Sequence, residues 1–353
     1  MDVSIIPLFI GTYTRTGKSK GIYIYDFHTD TGKAVINNVI EAENPSFLAI
    51  SPDRKFMYAV NERSPLGTVC AYRYYEQDRK IELLSKKPTE GVSPCHIAID
   101  SRSRHAIVSN YTSGNLNVFS ISPDGHLGEL VQKIEYEGNG PNLRRQEKPH
   151  IHSAFFSKDE HFVFIQDLGT DRIYIYRYFP ESDNFPLQPM PIPFIECTAG
   201  SGPRHITLSR DGKYVYLVHE LIAQVTVYTH NEGKLSAIQE VGINEECFKG
   251  TDGAGEIKLS PDGNFLYASN RGEANILAIY AVNPKNGTLT KIGNQSVLGF
   301  GPRHFTISPD GKFLLIGNQA SDEVVIFKRD KNTGLLCDSG QRISIGTPAC
   351  LVF

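Results

Sequence analysis

The sequence predicts an all-β chain, a seven-bladed β-propeller with four antiparallel strands in each blade. Three observations predict it. A turn phrase recurs at an interval that suits four short strands. An alternating strand ending in an aromatic follows each turn. The last segment of the chain reads as the first strand of a blade that the N-terminus continues.

The turn phrase has the form Pro-x5-Ser-Pro-Asp-Gly-x-aromatic-x4-Asn. Its copies are SPDR at 51, DSRS at 100, SKDE at 157, SRDG at 209, SPDG at 260 and SPDG at 308, spaced 49, 57, 52, 51 and 48 residues apart. Repeats of this length each hold one four-stranded unit. Ser, Asp and Gly are turn formers, through local side-chain hydrogen bonds and through tolerance of positive φ. The phrase is therefore structural rather than catalytic.

The strands after the turns are TVCAYRY from 68, LNVFSI from 116, RIYIYRY from 172, QVTVYTH from 224, ILAIYAV from 276 and EVVIFKR from 323. A seventh copy, GIYIYDF at 21–27, is preceded only by IIPLFIGTYT and has no turn phrase of its own. The C-terminal PACLVF, 348–353, supplies the start of the missing phrase. Terminal and initial strands would share one blade, closing the fold without an open edge. Turn dipeptides such as Asp124-Gly125 and Asn286-Gly287, with no long helical period, agree. One propeller domain over 1–353 is expected.

Basic and acidic residues, 36 and 39, are well mixed and leave a formal charge of −3. That balance offers no footprint for nucleic acid or for an acidic membrane surface. Small molecules are the expected partners, and the oligomeric state stays open. The six cysteines show neither a CxxC pair nor zinc-like spacing, and are expected to be buried free thiols. No stretch approaches the ~20 apolar residues of a membrane span, and the N-terminus lacks a basic leader, so a cytoplasmic protein is expected. His150 and His152 form an HxH pair on one strand face with no evident third ligand, so no metal and no cofactor are expected.

Repeat positions that only pack should look alike, so polar positions that vary between blades are candidates for function. With the fourth turn residue, such as Gly212, taken as the hairpin centre, residues eight before and eight after it should face each other across the pair. The first set is Ser46, Cys95, His152, Arg204, Gly255 and Arg303; the second is Glu62, Tyr111, Leu168, Glu220, Arg271 and Gln319. Both sets would mark one mouth of the channel, with Arg204 opposite Glu220. Three arginines, a histidine and a carboxylate form an anion site with a titratable group beside it. The alternative is a structural Glu–Arg ion pair across a hairpin. His96, His205 and His304, one residue further on, should point to the opposite face, where packing or backbone hydrogen bonding would explain them.

At these residues the chain resembles the lactonase family of seven-bladed propellers, which includes bacterial 6-phosphogluconolactonases and fungal carboxymuconate-lactonizing enzymes. The resemblance rests on FIGTYT at 9–14, NPSFLAISPD at 44–53, HSA at 152–154, GPRH at 202–205, HE at 219–220, SNR at 269–271 and GPRH at 301–304. It implies catalytic roles for His152, Arg204, Glu220 and Arg271. Arg303, His150, His205 and Glu62 complete the expected substrate-binding set. His219 departs from the asparagine usual in the family's phosphogluconolactonases and would add an imidazole at the rim.

The resemblance implies hydrolysis of an anionic sugar lactone, 6-phospho-D-glucono-1,5-lactone, in the pentose phosphate route. A muconate-type cycloisomerase and a non-catalytic binding platform are the alternatives. No GxSxG elbow is present, and Ser46 is the one serine at the symmetric positions, so water is the expected nucleophile. Arg204 would stabilise the oxyanion, and Arg271 and Arg303 would hold the distal anion. Glu220 or His152 would act as base, with His152 preferred because a carboxylate opposite an arginine is the weaker base.

Overall fold

The computed structural model describes residues 4–353. They form seven four-stranded antiparallel sheets, and no helix occurs among the described residues. Internal contacts divide the chain into two compact units. One holds the residues up to Glu43 with Ile206–Thr229 and Ser236–Phe353; the other holds Asn44–His205 with His230–Leu235.

Six sheets each use four consecutive strands. The seventh joins Pro348–Val352 to Ile5–Thr12, Gly21–His28 and Ala34–Glu41, with Phe9 opposite Val352 and Ile10 opposite Leu351. The shared blade expected from PACLVF and GIYIYDF is therefore present.

The turn phrase acts as a hydrogen-bonded module. In five copies Ser51, Ser157, Ser209, Ser260 and Ser308 donate to the aspartate two residues on, at 2.5–2.7 Å. The same hydroxyl oxygens accept the N–H of the aromatic five residues on, at 2.9–3.1 Å. This pair of bonds fixes where the second strand begins. The fourth turn residue is left-handed in every copy: Gly212, Gly263 and Gly311 have φ of 71–80°, while Arg54, Ser103 and Glu160 take 53–58° without glycine's freedom.

In the six sheets of consecutive strands the second strand is the most enclosed. Phe162–Asp167 and Phe313–Asn318 are buried along their whole length, whereas the outer strand Lys234–Gly242 alternates toward solvent. Apolar residues such as Ile107, Val118, Ile151, Val163 and Ile165 pack together in one unit, and Tyr216, Val218, Ile257, Leu266 and Tyr280 in the other. All six cysteines are free, but only Cys70, Cys95 and Cys350 are buried; Cys247 and Cys337 are exposed, which corrects the expectation of six buried thiols.

The ladder also departs from the expected register at the positions singled out for function. The pairs actually formed are Pro94 with Asn110, Ile151 with Asp167, Pro302 with Asn318 and Ala254 with Asn270. The expected pairs were Cys95–Tyr111, His152–Leu168, Arg303–Gln319 and Gly255–Arg271. A β-bulge places Cys95, His152 and Arg303 each between two paired residues, and the bulge between Ala254 and Ile257 takes in both Gly255 and Glu256. A bulged residue has no direct opposite and its strand bends locally, which re-aims its side chain.

Candidate functional site

In the unit holding Asn44–His205, the first strands bring imidazoles together. His152 and His205 meet edge to face with centroids 5.1 Å apart, and His96 meets His205 at 5.5 Å. Phe47 and Phe155 flank His96 at 4.4 and 4.8 Å. Aromatic pairs at these separations favour tilted and edge-on contacts. His96, His152 and His205 are each at most 5% exposed. The packing expected for His96 and His205 is observed, and it brings His205 against His152 rather than away from it.

Arg204 is 3% exposed and its Nη1 lies 3.2 Å from Nδ1 of His205. A guanidinium can only donate, so Nδ1 of His205 is the acceptor and the ring proton sits on Nε2. The Arg204 carbonyl accepts the Ser153 hydroxyl at 2.6 Å, and Gln166 Oε1 lies 2.6 Å from the same hydroxyl. Arg204 is thus fixed at both its backbone and its head.

His150 and His152 both meet Tyr111. The His150 ring stacks on the phenol at 4.5 Å and 19°, while His152 meets it edge-on at 5.6 Å and 81°. His150 is fixed through both ring nitrogens, Nδ1 at 3.0 Å from the Tyr111 carbonyl and Nε2 at 3.2 Å from the Glu147 carboxylate. Behind it, Asp167 accepts the His150 and Gly169 N–H groups at 2.8 and 2.9 Å and the Thr170 hydroxyl at 2.6 Å. Burial still pushes the Asp167 carboxyl above its ordinary range, against those hydrogen bonds. Glu62 is half-buried at the start of its loop, its N–H donating to the Asn44 carbonyl at 3.0 Å.

The other unit holds charge pairs instead. Glu220, 2% exposed, accepts Arg271 Nη2 at 2.7 Å. Arg271 follows Asn270, whose Oδ1 accepts the N–H groups of Gly253 and Gly272 at 3.0 Å each, while the Arg271 N–H reaches the Gly253 carbonyl at 2.9 Å. Arg271 also lines an open depression of about 430 Å³ with Lys18, Gly301, Gln319 and Asp322. Arg303 lies over the Tyr13 ring at 5.1 Å, the same ring that Arg15 overlies at 4.5 Å.

A second buried pair was not anticipated. Glu256 and His304 are each 3% exposed, with Oε2 and Nε2 3.0 Å apart. His304 Nδ1 accepts the Leu351 N–H at 3.2 Å, so Nε2 carries the proton and donates to the carboxylate. Glu256 Oε1 accepts the Ile257 N–H at 2.9 Å. The neighbouring Gly255 has no room for a side chain, since a Cβ would meet Ser269 Oγ at 2.7 Å and the Pro302 carbonyl at 2.8 Å. Aligning GAGE, 253–256, with GPRH, 202–205 and 301–304, puts Glu256 where His205 and His304 stand, and that alignment would have found it.

His219 corrects another expectation. It is 1% exposed, its Nε2 lies 2.7 Å from the Thr226 hydroxyl, and burial pushes its pKa down to about 3. It is a neutral, sealed imidazole rather than a group at a rim.

Residues 7–353 match the family described as lactonase, 7-bladed beta-propeller. The chain belongs to this lactonase family. It is 34% identical to the 6-phosphogluconolactonase of Formosa agariphila, with 98% of each chain covered, and 32% identical to the 6-phosphogluconolactonase of Bacillus subtilis, covering 98% of this chain and 97% of that one. Among solved structures, the periplasmic gluconolactonase of Pseudomonas aeruginosa superposes with a TM-score of 0.95 at 35% identity, with 99% of both chains covered. The seven sheets are the blades of the family's propeller, and the chain is a lactone hydrolase. No helix among the described residues is long and apolar enough to cross a membrane.

Proposed function

We propose that this lactonase hydrolyses 6-phospho-D-glucono-1,5-lactone to 6-phosphogluconate, within the pentose phosphate route and in the cytoplasm. The observation that carries the reading is the buried Arg204, fixed by Ser153 and His205 in the same packed group as His152. A guanidinium that cannot reorient stands beside a group able to take a proton. Full-length likeness to two proteins named 6-phosphogluconolactonase supports the choice of lactone.

In this reading water attacks the lactone carbonyl carbon while His152 takes one of its protons. Charge develops on the carbonyl oxygen, where Arg204 stabilises it; one such donor contributes roughly 3–4 kcal/mol. The tetrahedral intermediate then collapses with cleavage of the bond to the ring oxygen. That oxygen recovers the proton and leaves as a hydroxyl, and the carbonyl becomes the acid. Glu220 holds Arg271 at 2.7 Å and is thereby engaged in an ion pair, which supports His152 as the base.

The test couples product formation to 6-phosphogluconate dehydrogenase and compares wild type, Arg204→Ala and buffer alone, because this lactone also opens unaided. Wild type should exceed the blank by orders of magnitude and the variant should not. A folded wild type that matches the blank would reject the phosphosugar assignment.

A further inference from the structure

The interval between the second and third turns is 57 residues, the longest of the five. The extra length lies in the connection between the strands Leu127–Glu135 and Ile151–Phe156. In repeat proteins such insertions map to loops on one face, often the binding face.

This loop is anchored from within. Gln146 is fully buried; its Nε2 donates to the Leu168 carbonyl at 2.9 Å and its Oε1 accepts the Asn142 N–H at 3.1 Å. The Gln146 and Arg145 N–H groups both reach the Asn142 carbonyl, at 2.7 and 3.0 Å. Leu143 and Arg144 are left exposed, while the half-buried Arg145 turns back so that Nη2 donates to the Tyr111 hydroxyl at 3.2 Å. Tyr111 is the phenol that carries His150 on its face and His152 against its edge. A loop outside the repeat frame thus delivers a guanidinium one phenol away from His152.

We propose that Arg145, oriented by Tyr111, determines specificity by recognising the distal phosphate of the lactone. The inference rests on the reading of His152 and Arg204 as the reacting end. A guanidinium has five N–H donors in a planar fork that matches phosphate, and the Tyr111 hydroxyl accepts one of them, which fixes the plane of the fork. The two arginines expected from sequence to hold the distal anion are differently engaged: Arg271 with Glu220, and Arg303 over Tyr13.

The experiment measures kcat and KM of wild type, Arg145→Ala, Tyr111→Phe and Arg303→Ala on 6-phosphogluconolactone and on phosphate-free glucono-1,5-lactone. Losing a bidentate charged contact made equally before and during reaction acts on KM. Arg145→Ala should therefore lower the ratio of kcat/KM for the phosphorylated over the free lactone by about tenfold or more, through KM. Tyr111→Phe keeps the ring and should shift the ratio the same way by a smaller factor, which also serves if the alanine variant does not fold. Arg303→Ala should leave the ratio nearer to wild type. Equal losses on both lactones, an unchanged ratio, or a larger ratio change in Arg303→Ala would overturn the inference while leaving the hydrolase reading intact. A wild type inactive on the phosphorylated lactone would reject that reading and the inference with it.

Discussion

The strand position that follows Cys95, Arg204, Gly255 and Arg303 is occupied by His96 and His205 in one unit and by Glu256 and His304 in the other, and the two regions solve the same burial problem differently. Around His96 and His205 the rings pack on one another and on Phe47 and Phe155, with a ring nitrogen turned to a backbone N–H or to Arg204. Around Glu256 and His304 a carboxylate and an imidazole satisfy one another directly, as Glu220 and Arg271 do in the same unit. The repeat fixes where a side chain stands, and the partner available there decides whether it is held by contact area or by charge. A buried group held by charge leaves its partner costly when removed, whereas one held by ring packing can be replaced by another ring.

Substitutions can break this comparison. The largest effect is expected at Arg204, where alanine should reduce kcat by about 10²–10³-fold with a smaller change in KM, read from steady-state kinetics. In the charge-paired region, His304→Phe keeps a ring but removes the imidazole that pairs with the buried Glu256, and should cost about 3 kcal/mol in denaturant unfolding. His96→Phe in the packed region keeps a ring, loses a 3.5 Å acceptor for the Ala154 N–H and should cost about 1 kcal/mol. Equal costs for these two variants would remove the distinction between the regions.

Acid sharpens the comparison further. The folded pKa of His219 is about 3, whereas an unfolded histidine titrates near ~6.5, so between these values the unfolded chain binds a proton that the folded one does not. Stability is therefore lost as pH falls from ~6.5, by about 3 kcal/mol at pH ~4.5 from this group alone. His219→Asn should flatten that acid limb in thermal melts at a series of pH values. The smallest effect is on turnover: the same variant should keep kcat within about twofold, because its imidazole is sealed against Thr226. A large drop would return His219 to the site.

The fold was legible because its signals are local and repeated. Ser51, Ser157 and their equivalents write each hairpin start into a short phrase, and the GIYIYDF and PACLVF fragments each match part of a repeat. The bulges were not read, although a clue was present. Pro94 and Pro302 stand immediately before the bulged residues, and proline lacks the N–H that an uninterrupted ladder needs. Counting eight residues from the turn chose informative positions, yet centring each hairpin on the fourth turn residue set the register one residue off, since Ile307 pairs with Leu314 and Phe156 with Val163, and the bulge then adds a further shift. Arg145 was missed because it lies in an insertion that no repeat-to-repeat comparison covers; the 57-residue interval was its only trace.

The sheet that unites Ile5–Thr12 with Pro348–Val352 also sets a timetable. During synthesis Ile5–Thr12 emerges with one side unpaired and stays so until Pro348–Val352 has left the ribosome. A row of open backbone donors and acceptors is an invitation to pairing with other chains. The nascent protein must therefore carry that open seam while all the strands in between are made, and a chain that stops before Pro348 would keep it for good.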